Sequence, residues 1–294
     1  MSKLLMSSIA ATLIAGAGET PKTDSAAVSA PAKAGVEKKS FDIERFVKRS
    51  LIRNPRVKVN GVEVVEKRKL PNAPEWEAYM VLMDLSFGKK ESVKIPEIIF
   101  INSRNSLATT KLIDTKSGMD LSRNIKPNLG PEYYDDEHLI AGDKNAKHKM
   151  VVFSDPQCPF CKSFVPSMLD EVKKHPEKVA VYYYHMPLLR LHPVSDTLTR
   201  VMQKLQKEGK VSDAMKMYDL DINPRLKDEK KILAKIKKQF GIELKREDIE
   251  SKEIKDAVKR DREMGNRMMV SGTPTVYFDG KYDAGRSEYK KYLK

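Results

Sequence analysis

Two cysteines, Cys158 and Cys161, are the chain's whole complement, and they stand three positions apart in FSDPQCPFCKSF, residues 153–164. Thiols at i and i+3 in the first turn of a helix bring their Cα atoms about 5–6 Å apart, inside the range of an unstrained disulfide. Such a pair closes and reopens with little backbone movement. Pro159 suits the first helical position, because its ring presets φ and its missing N–H would have had no partner there. Cys158 then sits at the helix start, where unpaired N–H groups and the positive end of the helix dipole favour thiolate over thiol. It is the expected nucleophile, and Cys161, one turn deeper, is the expected resolving thiol.

Two other readings of the pair are open. A structural disulfide closing so small a loop would restrain little unfolded-chain entropy. A zinc site needs four ligands, and His138, His148, His175, His185 and His192 are scattered without paired spacing, so no metal and no cofactor is expected. A second motif, MMVSGTPTVYFDG, favours catalysis: Pro274 opens a strand that would lie beside the cysteine-bearing one. A cis Thr273–Pro274 peptide would turn the chain and leave the Thr273 backbone groups to pair with an extended substrate; an ordinary trans proline is the alternative.

Strands and helices must position these residues. EHLIAGDKNAKHKMVVFSD reads as a hairpin-like pair of strands whose second member, Met150 to Phe153, runs into the cysteine motif. A helix follows from about Pro159 to Lys174, then KVAVYYYHMPL alternates as a strand. From Pro193 to Met269 the text is almost wholly helical, and TPTVYFDGKYDAGRSEYKKYLK closes with two strands and a helix. The order over residues 137–294 is ββαβ, a helical block over about 193–269, then ββα.

Upstream, the apolar positions from Phe41 to Leu51 recur at helical spacing until Pro55 stops them. RVKVNGVEVVEKRKL, EWEAYMVLMDLSF and ESVKIPEIIFIN follow as strands, giving an α+β domain over 39–118 of one helix plus antiparallel strands. The middle strand is apolar on both faces, which fits either a centrally buried strand or a subunit interface. Gly and Pro mark 119–136 as a linker. MSKLLMSSIAATLIAGAGE reads as a secretory signal peptide, residues 1–17, cleaved near Ala17; its apolar run is shorter than the ~20 residues that span a bilayer. Residues 18–38, rich in Ala, Ser, Pro and Lys, read as a disordered tether. Lys and Arg number 55 against 41 Asp and Glu, a net +14, but acids are set among the bases throughout, and no nucleic-acid partner is expected.

The order ββαβ, helices, ββα, with CxxC and a late Thr-Pro, resembles a thioredoxin fold carrying a helical insertion. FSDPQCPFC, with Phe160 between the cysteines and Thr273 before Pro274, is similar to the DsbG and DsbC group of periplasmic thiol:disulfide interchange proteins. The resemblance implies that Cys158 attacks, Cys161 resolves and Thr273 with Pro274 binds substrate backbone. It implies that 39–118 is a cystatin-like dimerisation domain, which tilts the two-faced strand toward an interface in a homodimer. The implied partners are exported unfolded or misoxidised proteins and a membrane redox partner, a DsbD-like reductant or a DsbB-like oxidant. Val152 departs from the thioredoxin and DsbA pattern, which has a buried acid six residues before the nucleophile, so Cys161 needs water or another group for proton transfer. HMPLLRLHPVSDTLTRVMQKLQKEGK is closer to DsbA-like insertions, so a DsbA-like oxidase is the alternative. A holdase chaperone, resting on Met264, Met268 and Met269, is a second one.

Overall fold

The computed structural model describes residues 41–88 and 92–294, so the expected signal peptide and tether lie outside the described residues. Helix α1 (Ile43–Phe46) is capped by Asp42, which accepts from the Arg45 backbone N–H at 2.9 Å, and it runs into a π-helical turn over Val47–Leu51. One continuous amphipathic helix was the expectation. The ladder widens instead, with the Ile52 N–H reaching back to the Val47 carbonyl at 2.9 Å, and Leu51 and Ile52 pack against the sheet that follows.

That sheet is antiparallel in chain order: β1 (Val57–Leu70), β2 (Ala73–Phe87), β3 (Val93–Asn102) and a short β4 (Leu107–Thr109) absent from the sequence reading. Period-two alternation along β2 sends Tyr79, Val81, Met83 and Leu85 to the face covered by Ile43 and Val47 of the helical turns. Ala78 and Met80 go to the other face, where they meet Leu70, Ile98, Phe100 and Met269, with Leu112, Leu121 and Ile125 packed around them. Both faces of the strand are therefore covered within one chain, and its pattern does not call for a second subunit. The same contacts correct the linker: Leu121 and Ile125 pack on the first sheet, and Leu129 and Tyr133 belong to the core of the second. Gly and Pro mark its turns, but its apolar residues are each worth about 1.5–3 kcal/mol when fully buried, which draws the segment onto the sheets.

The second sheet has the order β5-β7-β6-β8-β9, from β5 (Leu139–Ala141), β6 (His148–Ser154), β7 (Val179–His185), β8 (Thr275–Phe278) and β9 (Lys281–Tyr282). The expected hairpin of β5 with β6 does not form; β5 pairs with β7, while β6 lies parallel to β7 and antiparallel to β8. Gly142 makes this possible. It sits at φ +79°, and a Cβ there would lie 1.9 Å from the Val179 carbonyl oxygen. Helix α2 (Pro159–Val172) packs on the face bearing Met150 and Val152, together with the helical block α3 (Ser195–Lys207), α4 (Val211–Met215), α5 (Glu229–Phe240) and α6 (Arg246–Glu250). The opposite face, with Val151 and Phe153, is covered by Tyr133 and by Met264 and Met268 around the end of α7 (Lys252–Arg267). Met268 and Met269 are thus core residues, which removes the sequence support for a chaperone surface. The chain ends in a 3₁₀ turn over Glu288–Lys291 where a helix was expected.

One polar contact ties α7 to the start of the sheet. His138 stacks on Tyr184 at 3.9 Å, with Nδ1 2.7 Å from Asp135 and Nε2 2.9 Å from the buried Asp261. Burial opposes its charge, but the two carboxylates outweigh that and raise its pKa to about 9. Because the folded value lies above the unfolded one near 6.5, this stabilisation is complete below about pH 6.5 and is lost as pH rises through about 9. In urea unfolding from pH 6 to pH 10, the chain is expected to lose on the order of 3 kcal/mol relative to His138→Gln over that window. Parallel pH curves for the two proteins would show that the imidazolium pair contributes nothing.

Candidate active site

β6 ends at Ser154, and the turn Asp155–Gln157 delivers Cys158 to the N-cap of α2, with φ −69° and ψ 123°. The Cys158 N–H donates to the Asp155 carbonyl at 3.1 Å, and the Cys158 carbonyl accepts from Lys162 N–H at 2.9 Å, the first bond of the helix. Pro159 occupies N1, as its ring favours. On the far side, Phe153 of β6 pairs with Thr275 of β8, which brings the preceding Thr273–Pro274 peptide, cis in this structure, against the cysteine turn. Cys158, Cys161, Thr273 and Pro274 therefore converge as the sequence reading grouped them. The Cys158 thiol donates to the Thr273 carbonyl at 3.2 Å, so that carbonyl is occupied by the enzyme's own sulfur while Cys158 is a thiol. The buried polar atoms without a partner among the described residues include Thr273 Oγ1 and Gln157 Nε2, both beside the pair.

The two sulfurs differ sharply. Cys158 is held at about 5, far below an ordinary thiol. The Cys161 side chain donating to its sulfur is the main cause; the N–H groups of Cys161 and Phe160 add to it, against burial. Cys161, fully buried, is pushed far up, first by burial and then by the Cys158 sulfur that holds its proton in place. One sulfur is thus poised as a thiolate and the other as its donor. Phe160 between them is 69% exposed and leaves apolar surface open beside the pair.

Two charges that flank Cys158 in sequence, Asp155 and Lys162, act elsewhere. Asp155 is fully buried and saturated by donors: Gln157 N–H at 2.8 Å, Leu188 N–H at 2.7 Å, Ser195 Oγ at 2.6 Å and His192 Nδ1 at 3.0 Å. It pins the approach to α3 onto the end of β6. Lys162 donates to the Leu220 carbonyl at 3.3 Å and is not a partner of the thiolate. His192 is thereby a positioning residue, and His185, also read as structural, is buried at the end of β7. Among the described residues no three His, Cys, Asp or Glu side chains converge in a way that would hold a metal ion. Val152 packs in the core at the position of the absent acid. Ser154, at the end of β6, is buried and shares a hydrogen bond with Tyr218, whose hydroxyl also meets Tyr183; sequence reasoning missed this group because its members come from distant elements.

Alkylation of the reduced chain by iodoacetamide is expected to follow a titration with a midpoint of about 5 at Cys158 and to leave Cys161 untouched. The depressed value also means that ionisation stabilises the reduced fold above the unfolded thiol's value of about 8.5, an advantage lost as pH falls through about 5. An alkylation midpoint above 8 would contradict a thiolate held by these donors.

A protein of Bacillus cereus described as "Probable disulfide bond formation protein D" is 26% identical over 170 residues, 52% of this chain and 77% of that protein. Among solved structures, oxidised BdbD from Bacillus subtilis is 16% identical, with coverage of 58% of this chain and 98% of that one and a TM-score of 0.47. A thioredoxin-like oxidoreductase from Silicibacter pomeroyi is 18% identical, with coverage of 56% and 96% and a TM-score of 0.47. Residues 135–294, more than half of the sequence, match the thioredoxin family, and the chain belongs to that family.

Proposed function

We propose that this oxidoreductase exchanges disulfides with exported proteins in the periplasm, in the isomerase or reductase direction of the DsbG and DsbC group. The observation that carries the reading is the placement of Cys158 at the N-cap of α2, one turn before the buried Cys161 and with its thiol 3.2 Å from the carbonyl of Thr273, the residue before cis Pro274. The Cys158 sulfur attacks one sulfur of a substrate disulfide. A Cys158–substrate disulfide forms, the substrate S–S bond breaks, and the second substrate sulfur leaves as a thiolate. That thiolate can return to a different cysteine pairing, which is isomerisation. Alternatively Cys161 attacks Cys158, releases the reduced substrate, and leaves the Cys158–Cys161 disulfide for a membrane reductant of DsbD type to reopen.

The backbone groups of Thr273, beside Cys158, are suited to pair with an extended substrate chain once the sulfur is engaged, and exposed Phe160 suits apolar residues of unfolded protein. Thr273 and Pro274 are thus the proposed substrate-binding residues, and Cys158 and Cys161 the proposed redox-active disulfide. One observation favours a second direction, DsbA-like oxidation fed by a DsbB-like oxidant: a thiolate this acidic stabilises the dithiol, so the disulfide form is a ready oxidant. Among the described residues no helix is long and apolar enough to cross a membrane, and the redox partner is accordingly proposed as a separate protein.

A homodimer remains part of the proposal on a different footing from the two-faced strand. Val64, Phe87, Val93 and Ile95 are exposed, and by register they share the face of Val81, Met83 and Leu85 beyond the reach of α1. Light scattering at micromolar concentration is expected to give twice the chain mass, and Ile95→Lys to return it to one; a monomeric wild-type chain removes the dimer. For the direction of exchange, acid trapping of thiols in fresh cells is expected to find Cys158 and Cys161 reduced, and the purified chain to reshuffle scrambled ribonuclease in a reaction abolished by Cys158→Ser. Finding the pair wholly oxidised in cells would decide for the oxidase.

A further inference from the structure

Between α7 and β8 the chain passes through Met268 to Pro274, and side chains from elsewhere hold the first part of this segment by its carbonyls. Tyr277 OH donates to the Met268 carbonyl at 3.0 Å and Lys126 Nζ to the Met269 carbonyl at 2.7 Å, while the Val270 N–H reaches the Gly265 carbonyl at 3.0 Å. Beyond Val270 that support stops. Among the described residues, Ser271, Gly272 and Thr273 form no backbone–backbone hydrogen bond. Ser271 is exposed, and a Cβ on Gly272 would meet nothing within 4 Å, so packing holds neither. Glycine has the widest backbone freedom of any residue, and this one stands immediately before Thr273, whose carbonyl lies 3.2 Å from the Cys158 sulfur. Among the described residues one hydrogen bond restrains it: the Thr275 hydroxyl donates to the Gly272 carbonyl at 2.7 Å. Thr275 is itself fixed, 6% exposed and paired in register with Phe153 of β6.

We propose that Thr275 is a positioning residue whose hydroxyl makes the site selective for disulfides carried on extended polypeptide over small disulfides. The Gly272 carbonyl and the Thr273 N–H belong to one planar peptide unit, and in a trans unit they point in opposite directions. Pinning the carbonyl to Thr275 therefore aims the Thr273 N–H away from Thr275, and no backbone acceptor among the described residues takes it. That N–H is a donor for the backbone carbonyl of a substrate chain lying beside Cys158. Without the hydroxyl, the peptide unit turns about the free torsions of Gly272, and the donor must be ordered each time a substrate binds. An extended chain gains from the preset donor, because less freedom is lost on association. A small disulfide brings no peptide carbonyl and gains nothing from the direction of the N–H.

The inference rests on the disulfide-exchange reading, and one experiment separates the two. The reduced full chain is mixed with two probes that share a leaving group. One is 5,5′-dithiobis(2-nitrobenzoate), which has no peptide backbone; the other is an unstructured peptide whose single cysteine is disulfide-bonded to nitrothiobenzoate. In each, the Cys158 thiolate forms a new S–S bond with the probe and nitrothiobenzoate leaves as the coloured thiolate, whose first equivalent is timed. With the peptide, the concentration that half-saturates the rate is expected to rise about fivefold in Thr275→Val, the scale of one neutral hydrogen bond, at an unchanged limiting rate. The rate with the small disulfide should be unchanged, and Thr275→Ser, which keeps the hydroxyl, should restore the peptide reaction. Thr275→Ala, which also lacks the hydroxyl, gives the same reading where the valine variant fails to fold. Peptide kinetics unaltered in both Thr275→Val and Thr275→Ala overturn the inference and leave the exchange reading standing. Equal slowing with both probes, or Thr275→Ser as weak as Thr275→Val, also overturns it, as marks of a purely structural role. An unsubstituted chain that reacts with neither probe overturns the exchange reading and this inference with it.

Discussion

The antiparallel register of β6 against β8, with Phe153 opposite Thr275, sets the distance between two segments that would otherwise be independent. Cys158 and Thr273 are 115 residues apart in sequence and 3.2 Å apart in space, and no local contact fixes that distance. A slip of one residue would turn every β8 side chain to the opposite face and would exchange Val276 and Phe278, which pack toward α2, with Tyr277, which packs toward Tyr133. The two apolar cores therefore police the geometry of the sulfur chemistry. The helical block between β7 and β8 can vary in length without disturbing the site, since its two ends enter the sheet at fixed places.

Within that frame the cysteines divide one task between two environments. Cys158 collects donors at a helix start, and its charge is spread over backbone N–H groups and a thiol. Cys161 sits one turn inward among apolar side chains, where a charge has little to hold it. The asymmetry suits the proposed order, in which substrate sulfur meets Cys158 first and Cys161 acts only after Cys158 has been consumed in a bond. Asp155 contributes from a distance, gathering four donors that lock the segment before α3 against the strand end.

Much of this was legible in the sequence alone. The pair, the proline at the helix start, the later Thr-Pro and the strands β1, β2 and β3 all rest on local chemistry or short-period alternation, which a sequence displays directly. What was hidden depends on partners far along the chain. β5 resembles half of a hairpin because the polar turn after it is local, yet its true neighbour is β7, reached through the close approach at Gly142. The segment through Leu112, Leu121, Ile125 and Tyr133 looks like a linker because its Gly and Pro are conspicuous, while the surfaces that receive its apolar side chains are not. Ser154 and Tyr218 read as ordinary core residues until the fold sets their oxygens 2.6 Å apart.

Met268 and Met269 are adjacent in the chain but belong to different cores, Met268 under the second sheet and Met269 under the first. Met269 takes a left-handed backbone conformation, φ 54°, and its carbonyl accepts from the buried Lys126 ammonium at 2.7 Å. A non-glycine residue in that conformation persists only where its surroundings over-determine it, and here both sheets do so. The segment that leads to Thr273 and Pro274 is thus a joint and not a loop. Excising the thioredoxin-like half at its sequence boundary would leave Met269 without its cover and its carbonyl without the Lys126 donor, so the amino-terminal sheet serves as structural support for the segment that leads to Thr273 and Pro274.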